Sequence, residues 1–294
     1  MRSAASSGQA GAGLGGLMVV PGLLWLAVFA VVPLGFLATA SLWKHSLFGL
    51  TTAVSLDAYR IIANEPVYAL VLWQTLRIAL VTTLLSLVIS YPLAMFLARL
   101  KGHHKTLAVV LVFLPFWTSY VVRTFVWLPM LGRSGVVNST LLALGIIDKP
   151  LDWLLYNEGT VYVGLVYVYT LYMTLPIYLS LDRLDPKLVE AANDLGATPL
   201  QAFRRVVLPL TMPGIWSGCT MVFLLSCGAY VTPQLLGGPS GHMLGNVIAA
   251  QFLQTNNWPL GAALSLILVV VVIGLLFVAG RRLGLQQLFM GERR

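Results

Sequence analysis

The chain is poor in the residues that do chemistry. It has only two cysteines, four histidines and ten acidic residues among 294. Cys219 and Cys227 are eight residues apart in one apolar run. In a helix that is about 12 Å, beyond disulfide reach, so both read as packing residues and say nothing about redox compartment. His103 and His104 are adjacent rather than at i, i+4, with no carboxylate close in sequence. They read as solvated turn residues, and no metal site is implied. Paired carboxylates and a nucleophile elbow are missing, so the chain itself is expected to carry no catalytic residue and no cofactor. It also lacks a G-x-x-x-x-G-K-[ST] phosphate loop; Gly102-His103-His104-Lys105-Thr106 has the Lys-Thr pair without a second glycine or a preceding strand.

What is abundant is apolar surface. Hydrophobic residues make up 58% of the chain and charged ones 10%. A soluble domain could not hide that much, which points to an all-α polytopic membrane protein. Six apolar runs are long enough to cross about 30 Å of hydrocarbon as helices, near Leu17–Leu42, Tyr68–Ala98, Thr106–Leu131, Gly159–Leu181, Pro213–Leu236 and Pro259–Gly280. The runs are continuous rather than alternating, which excludes a barrel. The expected organisation is a disordered cytoplasmic tail over 1–16, a six-helix transmembrane domain over 17–282 with a polar loop at 182–212, and a cytoplasmic tail over 283–294. Ala38-Thr39-Ala40 resembles a signal-cleavage site, but the run before it is too long for a signal peptide and reads as an uncleaved first span.

Charge supplies the orientation. Arg2, Arg99, Lys101, Lys105, Arg183, Lys187, Arg204, Arg205, Arg281, Arg282, Arg293 and Arg294 fall on one side of a six-span arrangement. Only Lys44, Arg60, Arg133 and Lys149 fall on the other. The positive-inside rule places both termini and the 182–212 loop in the cytoplasm. Basic residues dispersed among spans do not make a nucleic-acid surface.

The 182–212 loop is the most informative stretch. Asp185-Pro186 has the form of an N-cap and first helical residue, and Gly196 stands where a left-handed C-terminal cap would fall. Leu188, Ala191, Ala192 and Leu195 recur at helical spacing, and Thr198-Pro199 repeats the start signal for a second helix running to Pro209. A helix resting in the lipid interface favours Lys/Arg flanks and bulky buried residues. Alanines with Glu190 and Asp194 instead suit a protein partner that approaches closely.

Within the spans, Arg77 and Arg123 are intramembrane charges, and no Asp or Glu lies inside any of the six apolar runs. Each arginine reads as snorkelling or pairing across helices near the external interface, with a role along a pathway as the functional alternative. Trp117, Tyr172, Tyr230 and Trp258 are available for cation–π contact and otherwise read as packing or interface aromatics. Pro233 with Gly237 and Gly238 is the best hinge candidate, at the external end of the fifth run.

Glu190-Ala191-Ala192, then three residues, Gly196, nine residues, Val206 and Leu208-Pro209 resemble the EAA signature of ATP-binding-cassette importer permeases. Val206 replaces a usual isoleucine. The likeness extends towards the spermidine/putrescine-type branch through Pro115-Phe116-Trp117-Thr118-Ser119, Leu208-Pro209-Leu210-Thr211-Met212-Pro213-Gly214-Ile215 and Val231-Thr232-Pro233-Gln234-Leu235-Leu236-Gly237-Gly238. Thr170-Leu171-Tyr172-Met173 departs from it where relatives often carry Leu-Pro-Phe-Met. The resemblance implies a bacterial inner-membrane permease paired with a second permease subunit, two cytoplasmic ATPase subunits and an external solute-binding protein. It makes Glu190, Ala191, Ala192, Gly196, Leu208 and Pro209 the ATPase-coupling residues, His242–Gln254 a gate element, and a polyamine the solute, with an amino-acid-derived or other small cationic solute left open by the residues themselves. Two arginines with no interior acid would repel a polycation, so selectivity would have to come from partners or ring faces. A self-sufficient secondary transporter is the alternative; it normally shows mid-membrane ionisable sites and paired repeats, which are not evident. A membrane-embedded enzyme would need a reactive cluster that is also not evident.

Overall fold

The computed structural model describes residues 20–46, 49–51 and 53–282. The expected tails at 1–16 and 283–294 lie outside these residues. Among the described residues five helices are long and apolar enough to cross a bilayer, and a bent pair makes a sixth crossing if it counts as one. The helices are α1 (Val20–Ala40), α2 (Asp57–Asn64), α3 (Pro66–Arg99), α4 (Gly102–Phe113), α5 (Tyr120–Phe125), α6 (Trp127–Leu131) and α7 (Val136–Ala143). They continue with α8 (Glu158–Asp182), α9 (Pro186–Asp194), α10 (Pro199–Ala202), α11 (Leu208–Cys227), α12 (Val231–Leu236), α13 (Leu244–Leu253) and α14 (Trp258–Arg282). The all-α reading holds, apart from a short antiparallel hairpin, β1 (Lys44–Ser46) with β2 (Gly49–Thr51).

The chain divides into two units: residues up to Glu65 with Ala250–Val269, and Pro66–Ala249 with residues from Val270 on. In the first unit Tyr59 donates to Ser41 Oγ at 2.9 Å, and the Leu42 carbonyl accepts from Ser55 N at 2.6 Å. A Cβ on Gly261 would meet the Phe252 ring at 3.0 Å, so that glycine seats the ring.

The second unit is built on α3, α8 and α11, which pack on one another. Lipid is as apolar as a leucine side chain, so packing and hydrogen bonding, rather than exclusion from water, hold such helices together. The sequence of α3 answers this with small and hydroxylated residues: Thr75, Ala79, Thr82, Ser86, Ser90 and Ala94 are buried. Ser90 donates to the Thr170 carbonyl at 2.9 Å, and Tyr91 and Thr211 share a hydrogen bond at 3.0 Å. Gly214 and Gly218 bring α11 against α8. A Cβ on Gly214 would fall 2.5 Å from the Pro176 carbonyl oxygen, and one on Gly218 would fall 2.7 Å from Met173 Sδ.

Three boundaries differ from the hydropathy reading. The third span is not one helix over Thr106–Leu131: Gly102–Trp117 and Tyr120–Ala143 meet at 94°. Pro115 tightens the chain into a 3₁₀ turn at Leu114–Trp117, and Thr118 and Ser119 are extended, with ψ of 145° and 137°. The fifth span ends at Cys227 instead of Leu236. The chain restarts as α12 with Pro233 in its first turn, where a missing N–H costs no intrahelical bond. At its other end, the second loop helix does not stop at Pro209 but runs on as one 29-residue segment, Pro199–Cys227. A π-turn at Phe203–Val207 precedes Pro209 and takes up the irregularity that a proline without an N–H imposes. The departure at Thr170–Met173 leaves α8 unbroken, with Pro176 inside it.

Candidate functional site

The loop between α8 and α11 folds from its own caps. Asp185 accepts from Lys187 N at 3.0 Å, which starts α9 with Pro186 at its first position. At the far end Gly196 has φ +82°, and a Cβ there would touch nothing within 4 Å. The glycine is therefore required by its backbone conformation and not by crowding. Gly196 N donates to Asn193 O at 2.9 Å and Ala197 N to Ala192 O at 3.0 Å. That pair of bonds closes a Schellman cap and satisfies carbonyls that would otherwise hang open. Two residues on, Thr198 and Gln201 form a reciprocal capping box. The turn between α9 and α10 is thus fixed on both sides.

The apolar residues of α9 are not gathered onto one covered face. Val189 and Ala192 are half-buried, while Leu188, Glu190, Ala191 and Gly196 are exposed. Leu195 is 89% exposed and Leu200 66%. Beside α9 lies a cavity of about 360 Å³ lined by Ser180, Arg183, Leu184, Asp185, Leu188 and Leu210. Of the other motif residues, Leu208 is half-buried and packs on the core, and Pro209 is exposed.

Two ion pairs brace this bundle at its ends. Lys105 pairs with Asp182, joining α4 to the last residue of α8 next to the loop. At the opposite end Arg77 Nη2 lies 2.5 Å from Glu158 Oε2, and Tyr162 donates to Glu158 Oε1 at 2.6 Å. Arg77 therefore pairs across helices, as one of its two sequence readings had it. Its acid sits at the first position of α8, one residue outside the fourth apolar run.

Arg123 has no such partner. It is 6% exposed, and neither its Nε nor its Nη1 is hydrogen-bonded. Nearby, Thr232 Oγ1 shares hydrogen bonds with Tyr120 Oη at 2.7 Å and Thr124 Oγ1 at 3.3 Å. Tyr120 stacks on Tyr169 with ring centroids 6.4 Å apart, and Tyr169 meets Tyr172 edge-on at 6.1 Å. Of the pathway candidates, then, Arg123 and Tyr172 flank one aromatic and hydroxyl cluster. Trp117 is 84% exposed on the 3₁₀ turn. Tyr230 offers its carbonyl to Asn246 Nδ2 at 2.9 Å. Trp258 packs on Phe252 within the first unit, with ring centroids 5.5 Å apart. Gly238, with φ +54°, is pressed against Tyr156, and Gly237 and Gly241 approach so closely that a Cβ on Gly237 would be 2.9 Å from Gly241 Cα. Pro233 is buried.

Residues 90–283 match the family model described as "binding-protein-dependent transport system inner membrane component". The chain belongs to this family. It is a multi-pass inner-membrane transport component, and the family match covers α8, the loop and α11. A relative in Escherichia coli K12, the spermidine/putrescine transport system permease protein PotB, is 39% identical over 87% of this chain and 92% of its own length. The Haemophilus influenzae protein of the same name is 38% identical over 86% of this chain and 88% of its own. The fold is shared with a bacterial ABC transporter involved in the import of the acidic polysaccharide alginate, at TM-score 0.73 and 18% identity, covering 92% of this chain and 94% of that one.

Proposed function

We propose that this chain is the permease subunit of an ATP-driven, binding-protein-dependent importer of polyamines. In this reading it works with a second permease subunit, two ATPase subunits and a solute-binding protein, and handles no nucleotide itself. The loop carries the proposal: α9 is capped at both ends, yet Leu188 on it, Leu195 at its C-terminal cap and Leu200 on α10 stay uncovered. Apolar side chains on a rigid polar loop suit a protein groove. Glu190, Ala191, Ala192 and Gly196 would couple to the ATPase there, while Leu208 and Pro209 join the loop to α11. The 39% identity to a spermidine/putrescine permease supports the solute class. The basic-residue asymmetry supports a cytoplasmic loop and cytoplasmic termini.

Trp117, Arg123, Tyr172, Tyr230 and Trp258 are proposed along the pathway, with Pro233, Gly237 and Gly238 as the hinge of its gate. The contacts of Gly238 on Tyr156 support a hinge that moves with the Tyr156 loop as one body. The test is co-expression with an ATPase, a second permease and a solute-binding protein of this importer class. Concentrative uptake of labelled spermidine that is lost on Ala192→Trp, together with ATPase co-purification, is the expected result. Full uptake and association in that variant would remove the loop from the coupling role.

A further inference from the structure

A guanidinium offers five N–H donors in a rigid fork and no acceptor, so burial leaves each donor in need of a partner. A charge removed from water is costly unless it is paired and hydrogen-bonded. Yet Arg123 is 6% exposed with Nε and Nη1 unsatisfied. Among the described residues no acid lies within ion-pair reach of Arg123, and Asp148 stands exposed on the loop before α8. Glu158 is taken by Arg77, Asp152 by Arg133 and Asp182 by Lys105. Asp185, Glu190 and Asp194 belong to the loop at the opposite end of α8.

The position is also specific. Tyr120, Arg123 and Thr124 share one face of α5, by their i, i+3 and i, i+4 spacing. Tyr120 and Thr124 are tied through Thr232, and Thr232 in turn lies against Gly164, within about two turns of the Glu158 end of α8. The outward side of α5 is apolar, with Val122 and Phe125 exposed. A charged group has thus been placed beneath an apolar shoulder, at the sharp bend of a broken span, with hydroxyls beside it and its own charge unmet.

We infer that Arg123 receives a carboxylate from an acidic side chain of the second permease subunit. The inference rests on the proposed polyamine reading. A polycation brings no carboxylate and would be repelled by a bare arginine, so the counter-charge has to come from protein, and among the described residues no acid of this chain reaches Arg123. Pairing across the subunit boundary also removes the repulsion that a free guanidinium would set against a cationic solute. Arg123 thereby acts along the pathway as an assembly and charge-neutralising residue.

The test uses the full complex of both permeases, ATPase and binding protein, with labelled spermidine as probe. Arg123→Gln is expected to insert at normal levels but to lose at least tenfold in co-purified second permease, while Arg123→Lys retains most of it. Each Asp or Glu within the apolar spans of the second permease is then neutralised singly. One of these is expected to weaken assembly comparably and to restore it when combined with Arg123→Gln. Arg123→Lys in the same cycle reports the coupling even if the Gln variant folds poorly. Normal assembly and uptake in Arg123→Gln would overturn the inference, as would a complete set of neutralisations with no coupling. So would normal assembly combined with lost uptake of a carboxylate-bearing solute, which would assign the carboxylate to the solute. A wild-type complex that assembles but takes up no spermidine would instead overturn the polyamine reading, and co-purification would still decide the role of Arg123.

Discussion

Gly196 shows how much one residue can settle. Its φ of +82° lies in the left-handed region, and no neighbour crowds it. Any loss on substitution therefore reports backbone conformation alone. An L-residue with a branched Cβ resists that region by about 1–2 kcal/mol, whereas asparagine tolerates it. Gly196→Val is expected to open the Schellman cap and to lower ATPase association about tenfold, while Gly196→Asn stays near wild type. Equal loss in both would point to a steric requirement that the open space around Gly196 does not support. This cap was legible in the sequence because capping chemistry is local: Asp185, Gly196 and Thr198 act on backbone groups within a few positions. The ion pairs were not legible. Arg77 and Glu158 are 81 residues apart and Lys105 and Asp182 are 77 apart, so nothing in the local pattern couples them. Exposed pairs contribute little, typically under about 1 kcal/mol. Arg77 is half-exposed at the side chain, and Arg77→Gln is expected to leave folding and insertion within that margin in a detergent-melting measurement.

At the scale of elements, the membrane packing depends on where side chains are missing. Gly214 and Gly218 are one turn apart on the face of α11 that meets α8, and both would collide with α8 if given a Cβ. Overpacking a tight helix contact costs roughly 1–3 kcal/mol. Gly218→Leu is expected to lower the melting temperature of the purified chain and its folded yield. Gly274→Leu, at a glycine with nothing within 4 Å, serves as the matched control and should be silent. Equal effects would mean that lost helix flexibility, and not the α8–α11 contact, is what matters. Hydropathy located the spans because lipid selects for apolar length, but it averages over the backbone and cannot see breaks. Pro115 with extended Thr118 and Ser119, and the restart at Tyr230 before Pro233, are proline effects inside runs that stay apolar throughout. The same blindness hid the continuity of Pro199 to Cys227, because polar Arg204 and Arg205 interrupt the hydropathy without interrupting the helix.

The whole molecule divides work between what it buries and what it leaves open. The interior of the second unit is a small-residue bundle with few ionisable groups, and the loop of α9 and α10 presents uncovered leucines at the end where α8 gives way to it. A transporter that drives itself needs a titratable or ion-binding element at mid-membrane to take up free energy. In the second unit the acids near the bundle are spent on end-to-end braces or sit on the loop. On the proposed reading, free energy for uphill movement arrives through the loop from a protein that binds nucleotide. Two results follow at this scale. Cysteine labelling at Leu184 and at Arg99 is expected to report the cytoplasmic side, and an external reading at Leu184 would break the link between loop and ATPase. In proteoliposomes the chain alone should neither hydrolyse ATP nor concentrate spermidine. Adding the second permease, two ATPase subunits and the binding protein should produce hydrolysis that spermidine stimulates. Uphill uptake by the chain alone, driven by a proton or sodium gradient, would require an interior charge-transfer site, and would turn the buried Arg123 cluster from an assembly contact into the transport machinery itself.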